Sequence, residues 1–311
     1  MTVAAGVLEA PETAAPTHAV YRTSTWVGRG IIALGQMSVV LFTTRSHLTP
    51  VTSEGDSFAC EGLAVWGAYC VFPDPVGSVV VLATLGAVCL GVAPLVTGML
   101  HAWASFSIAT GIGLPDGGEH VAQVVTLLLV VLLIPDLRRV SWRWAPPASP
   151  QVLLGISMAA WWALRLQMAG IYLHSAIAKL GVQDWVNGSA MYYIVRDPSF
   201  GAAGPVGDLM RWVTISPLGV ATLTWGSIAV EIAIAIFVLH RGRARVLALG
   251  LAVALHAAII VTIGLWSFGL VMIGAMVVAA APERLFVASP RTAAARLLAV
   301  FRRTPQDRGG S

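Results

Sequence analysis

The sequence predicts an all-α integral membrane protein, a bundle of about eight transmembrane helices with N-terminus and C-terminus both cytoplasmic. Three observations carry that prediction. The 311-residue chain is 57% hydrophobic and 11% charged, with a mean hydropathy of +0.79, where soluble domains run at about 25% charged. Its apolar residues fall in runs near the roughly 20 residues that cross a bilayer, with room for about seven or eight of them. Its arginines gather in alternate short loops and at the C-terminus, the bias that marks cytoplasmic segments. The net charge of +4 is therefore a topology signal, and no nucleic acid is expected as a partner.

Residues 1–25 read as a disordered cytoplasmic tail of Ala, Pro, Thr and Glu. They lack the basic and apolar regions of a signal peptide, which makes the first helix an uncleaved anchor. The transmembrane domain is assigned to residues 26–283, with a first span at about 27–44. A polar loop follows, carrying Cys60 and Cys70. The apolar stretch 76–114 is too long for one span, and Pro94 divides it in two. Asp116-Gly-Gly-Glu119-His120 leads into a fourth span at about 121–137, closed by Arg138, Arg139 and Arg143.

The fifth span, about 152–181, is long enough to tilt or protrude. Loop 182–217 holds Trp185, Tyr192, Tyr193 and Trp212, aromatic residues that favour the membrane interface. Spans six, seven and eight are read at about 218–239, 246–264 and 267–281. Residues 284–311 form a basic cytoplasmic tail whose arginines among apolar residues suit an amphipathic helix on an anionic leaflet. With eight spans the inside segments collect most arginines, Arg22 and Arg29 among them, and the outside loops keep only Arg45, Arg196 and Arg211. On that topology Cys60 and Cys70 face an oxidising compartment and can pair.

Lys179 is the only lysine; the other eighteen basic residues counted with it are arginine. Two readings fit a lone lysine near the end of an apolar helix. It can snorkel to the headgroups, or it can do chemistry, because an ammonium taken out of water can lose its proton and a guanidinium cannot. The absence of every other lysine favours chemistry. Helical spacing places Arg165, Met168, Tyr172, Ser175 and Lys179 on one stripe, which should face the bundle; His174 falls off it. Arg165 at mid-membrane needs a counter-charge, and Glu231 in the sixth span is expected to supply it as a structural ion pair.

Asp116, Glu119 and His120 form a second polar group on the Lys179 side, although a turn followed by a helix N-terminus explains the acids equally well. His256, in an otherwise apolar run, either bonds a neighbour or relays protons. No metal-ligand spacing, nucleotide fingerprint or serine-nucleophile motif occurs.

The segment Tyr172-Leu-His-Ser-Ala-Ile-Ala-Lys-Leu180, followed by Asp184-Trp185 and Gly188, resembles a motif of the horizontally transferred transmembrane (HTTM) superfamily. That superfamily includes the vitamin K-dependent gamma-glutamyl carboxylase. His256 to Leu265, Ser267-Phe268-Gly269 and Pro282 resemble its second conserved region. Trp103, the Asp116-Gly-Gly-Glu119 block, Pro135-Asp136 and the Cys60/Cys70 loop most resemble the SdpB branch, bacterial multi-pass cell-membrane proteins needed to mature a secreted antimicrobial peptide.

The resemblance implies a catalytic set of Lys179, His256, Glu119 and His120. Lys179 matches the base that deprotonates reduced vitamin K, and His256 lines that site. Glu119-His120 stands where the carboxylase has Asn-His. Asp116, Tyr172, Ser175, Asp184, Trp185, Trp266 and Phe268 are the expected substrate-binding or supporting residues. The implied cofactor is a membrane quinone of the vitamin K type. The implied partners are the lipid bilayer, a secreted peptide precursor and a small SdpA-like accessory subunit. A non-catalytic export or immunity component, and a small-molecule transporter relaying charge through Arg165 and Glu231, are the competing functions.

Overall fold

The computed structural model describes residues 19–42, 60–73, 75–111, 117–142, 149–198 and 204–282. Asp116, most of the two terminal tails and the loop before Cys60 lie outside the described residues. Among the described residues the fold is helical, with a single isolated bridge between Val92 and Val140.

A short 3-10 turn, Ala19–Tyr21, precedes α1, Thr23–Phe42. Tyr21 is anchored ahead of residue 26: its hydroxyl donates to the Pro135 carbonyl and meets the Ser149 hydroxyl, both at 3.0 Å. A short helix α2, Ala68–Val71, leads to α3, Val76–Cys89, and then α4, Pro94–Gly111. The break between α3 and α4 falls where Pro94 puts it. Gly91 turns at φ 67°, a left-handed value that glycine adopts without strain. The turn is then pinned to the far side of α5, Gly118–Leu133, by Ala93 N–H to Arg139 O and Ser141 N–H to Gly91 O, each 2.8 Å.

The longest helix, α6, runs Gln151–Leu180. Loop 182–217 is not extended: it contains α7, Gln183–Val186, α8, Ala190–Arg196, and α9, Gly204–Val213. Then come α10, Pro217–Phe237, α11, Arg243–Ile263, and α12, Trp266–Ala280. Ser216 caps α10 by accepting the Gly219 N–H, with Pro217 at its first position, the arrangement that satisfies an orphan donor and wastes none. Gly264, in left-handed conformation, ends α11 and lets the chain reverse into α12.

The core is built around α12, whose residues Val271 and Met272 and the run Gly274–Ala280 are buried. A helix apolar on every face belongs inside. It crosses α1 in close backbone contact. A Cβ on Gly28 would lie 2.6 Å from the Gly274 carbonyl oxygen, and one on Gly274 would lie 2.6 Å from that of Gly28. Only paired glycines let the two backbones meet, the small-residue contact that membrane helices use.

Among the described residues four helices, α1, α6, α10 and α11, are long and apolar enough to cross a membrane. They turn large apolar side chains such as Phe42, Leu166, Ile177, Trp225 and Val261 outward, as hydrocarbon surroundings allow and water does not. Helices α3, α5 and α12 are apolar but only 14, 16 and 15 residues long. At 1.5 Å per residue they reach about 21 to 24 Å, short of a core of about 30 Å.

Candidate functional site

The inward stripe of α6 carries the site. Arg165 and Met168 are fully buried and Tyr172 is nearly so, while Ser175 and Lys179 are partly covered and His174 is exposed. α10 runs antiparallel beside α6 and brings Glu231, 8% exposed, opposite Lys179. The Lys179 Nζ donates to Glu231 Oε1 at 2.7 Å and Oε2 at 2.9 Å, and to Ser175 Oγ at 2.7 Å. Ser175 Oγ in turn donates to Glu231 Oε1 at 3.1 Å. Amine, hydroxyl and carboxylate close a three-membered polar ring between α6 and α10.

The turn after α6 roofs this ring. Trp185 sits with its indole 5.2 Å from the Lys179 Nζ, an additional favourable contact for an ammonium. Trp185 is itself held by Trp225 of α10, whose indole N–H donates to its carbonyl at 3.1 Å. Gly188, at φ 83°, is the turn that makes room: a Cβ there would press on Trp225 at 3.0 Å. Asp184 is exposed and serves locally, its carbonyl accepting the Ser189 N–H.

One turn deeper along α6, Tyr172 reaches α11. Its hydroxyl lies 3.5 Å from His256 Nδ1, and the rings meet edge-on at 5.8 Å. His256 Nδ1 is 2.9 Å from the Ala252 carbonyl, so that nitrogen carries the proton and Nε2 is the acceptor. Phe268 of α12 packs on the same imidazole at 5.4 Å. Trp266 is exposed at the start of α12. Glu119 is buried in the first turn of α5, and His120 beside it is exposed. Ser157 Oγ donates to the Leu132 carbonyl at 2.7 Å, which sets α5 antiparallel to α6 and directs its N-terminus toward the Lys179 end.

The expected Arg165–Glu231 pair is not formed. Glu231 belongs to Lys179, and Arg165 lies at the opposite level of α10. There its Nε donates to the Val238 carbonyl at 2.9 Å and its Nη2 to the carbonyls of Val238 and, at 2.7 Å, His240. The guanidinium thus caps the C-terminal carbonyls of α10, which carry the negative end of its dipole. Cys60 and Cys70 are joined, with their Cα atoms 5.7 Å apart.

A polar seam between α1 and α4 escaped the sequence reading. Arg29, one of the arginines counted to the cytoplasmic side, is 1% exposed and donates to Thr97 at 3.2 Å. Gln36 bonds Ser105 and His101 at 2.8 Å each. The signal was present in the seven-residue step from Arg29 to Gln36 and the four-residue steps Thr97, His101, Ser105, which mark one face of each helix.

The residues around Lys179 offer a donor set suited to a quinol hydroxyl and aromatic faces suited to its ring. Tyr172 and His256 pack on each other, however, and leave no gap between them for that ring; no step below is routed through a quinone.

No family model and no solved structure matches the chain. Over 204 residues, 65% of its length, it is 33% identical to "Uncharacterized protein YitO" of Bacillus subtilis (strain 168), and the match covers 66% of that relative, about two thirds. Over 259 residues, 80% of its length and 78% of the relative's, it is 26% identical to "Sporulation-delaying protein SdpB" of the same organism.

Proposed function

The chain is SdpB-like, and from that relationship and the geometry around its one lysine we propose that it acts in maturation of a secreted antimicrobial peptide. It does so as a multi-pass protein of the bacterial cell membrane, with eight helices crossing or embedded and both termini cytoplasmic. An SdpA-like subunit and the peptide precursor are its partners. The HTTM resemblance supplies the reaction type, a membrane-embedded proton abstraction on the extracytoplasmic side.

The observation that carries the proposal is the two-oxygen contact of Lys179 with Glu231. A lysine that is to act as a base must first give up a proton of its own ammonium. Glu231 is placed to receive it across the contact; Nζ then takes a proton from the substrate, leaving the substrate as an anion, and release of the Glu231 proton to solvent restores the ammonium–carboxylate pair. Ser175 holds both groups in register, and Trp185 covers them. Tyr172 and His256 line the inner wall, and Asp184, Trp266 and Phe268 position substrate around it, with Asp116, Glu119 and His120 at the neighbouring helix start.

The test compares secreted peptides by mass spectrometry in the producing strain, in a strain without the gene, and in strains carrying Lys179→Ala or Glu231→Gln. Masses lost on deletion define the product. The proposal expects both variants, present at normal level in the membrane, to lose that product by at least about 100-fold. Undiminished product from either variant overturns it.

A second reading has one observation in its favour: a lysine already satisfied by a carboxylate is what a purely structural pair looks like. On that reading the chain is a non-catalytic export or immunity component. Product then tolerates Lys179→Arg and is lost on changes in α7 to α9.

A further inference from the structure

The loop that carries Cys60 and Cys70 reads in sequence as a polar connection in water, yet its described part is apolar. From Gly62 to Pro73 it holds no charged residue, and Glu61 and Asp74 flank it. Gly62–Trp66 forms a 3-10 turn and α2 follows it. Large apolar side chains of this segment point away from the protein: Leu63 is 75% exposed and Trp66 69%, and Val71 is exposed beside them. The Cys60–Cys70 bond ties the two ends of the turn together, which keeps that apolar tip in place. Apolar side chains displayed together call for a partner other than water.

The backbone of the segment is paired without help from water. The N–H groups of Ala64, Gly67, Cys70, Val71 and Phe72 donate to carbonyls of the same segment at 2.9 to 3.1 Å. The Ala68 N–H donates to Ser107 Oγ of α4, and the Trp66 carbonyl accepts the Trp103 indole N–H, each at 2.9 Å. A loop in water can leave such groups to the solvent, whereas backbone placed in hydrocarbon must pair them internally.

The helices beneath it set its depth. α3 and α4 are joined by the Gly91–Ala93 turn, which is bonded to Arg139 and Ser141 at the basic end of the bundle. Leu90 and Val92 are exposed at this turn, so the hydrocarbon begins no deeper than here. Trp103 and Ser107 lie about 14 and 20 Å along α4 from Pro94 at 1.5 Å per residue. α3 climbs about 21 Å before it stops at Val76. A hydrocarbon core of about 30 Å leaves about 9 Å beyond that point, and the segment packed on Trp103 and Ser107 stands within it.

We propose that the Cys60–Cys70 segment is sunk in the bilayer, in the leaflet away from Arg138 and Arg139, with Leu63, Trp66 and Val71 against lipid acyl chains. It fills the part of the membrane thickness that α3 is too short to span, and the disulfide holds its tip at that depth. The leaflet is the outer one on the topology proposed above; the embedding itself is independent of that choice and of the Lys179 reading.

The test uses the full-length protein reconstituted in vesicles of phosphatidylcholine whose acyl chains carry bromine, a quencher confined to hydrocarbon. Emission from Trp66 is the difference between wild type and Trp66→Phe, and iodide in the buffer is the aqueous quencher. Brominated lipid is expected to remove most of the Trp66 emission and iodide to leave it nearly intact. Quenching by iodide, or no quenching by brominated lipid, would overturn the proposal. If Trp66→Phe folds poorly, a second readout leaves Trp66 in place. Benzoylphenylalanine in place of the exposed Leu63 should, on irradiation in ordinary phosphatidylcholine vesicles, give a lipid adduct by mass spectrometry, as it should in place of the exposed Ile177 of α6. An adduct at position 177 with none at position 63 would assign the tip to water. A protein crosslink at position 63 in native membranes, with no lipid adduct, would assign it to a partner protein. Either result would overturn the embedding.

Discussion

At one end of α6 the Lys179 amine faces a carboxylate, two oxygens of Glu231 at 2.7 and 2.9 Å. At the middle of the same helix the Arg165 guanidinium donates hydrogen bonds to the backbone carbonyls of Val238 and His240 and lies against two indoles. Both cations sit on the same stripe of the same helix. Lysine is given a partner that can take up a proton; arginine is given fixed dipoles that cannot. The first arrangement suits proton transfer and the second suits holding helix ends together. A helix that spends its one lysine where a carboxylate waits has separated chemistry from architecture along its length.

Breaking the lysine end should cost most. Glu231→Leu leaves Lys179, with a fifth of its side chain exposed, facing no counter-charge, and is expected to lower stability by about 3 kcal/mol. The drop in unfolding midpoint in detergent measures it, and a loss no larger than that of a neighbouring exposed Leu→Ala would contradict the pairing.

Arg165→Met comes next. It strips the donors from the end of α10 and should cost about 2 kcal/mol while secreted product falls by less than about threefold. A collapse of product with intact membrane levels would erase the distinction between the two cations.

The exchange Lys179→Glu with Glu231→Lys sharpens the comparison further. Restoring opposite charge should recover at least about 1 kcal/mol relative to Glu231→Leu, yet product should stay absent because the amine now hangs from α10. Recovery of both would reduce the pair to electrostatics.

Smallest of all is Tyr172→Phe, expected to cost about 0.5 kcal/mol, since its hydroxyl reaches His256 only at 3.5 Å, a long contact for a hydrogen bond. The unfolding midpoint again reads it.

The long helices were legible because apolar run length and proline breaks survive any packing. The α6 range was anticipated to within a residue or so, and the chain divides just before Pro94. Periodicity also selected the inward stripe from Arg165 to Lys179. Pairing was not legible. Depth counted from opposite ends suggested Glu231 for Arg165, but α10 stops at Phe237, level with Arg165, and so presents carbonyls there and its carboxylate nearer Lys179. Arginine counting hid Arg29, because a charge used as a topology marker is assumed to be wet, and here Thr97 takes it into the bundle. The helices α7 to α9 are too short for a 3.6-residue period to emerge from a window of aromatic and polar residues.

The most direct measurement is the secreted product of the producing strain carrying Lys179→Arg, alongside the membrane level and unfolding midpoint of the variant. Arginine keeps the positive charge and can still contact Glu231, but it cannot be deprotonated. The account predicts a folded protein at normal level and product reduced by at least about 100-fold. Normal product from that folded variant would show that Lys179 serves only as a charge, and proton abstraction at this site would be excluded.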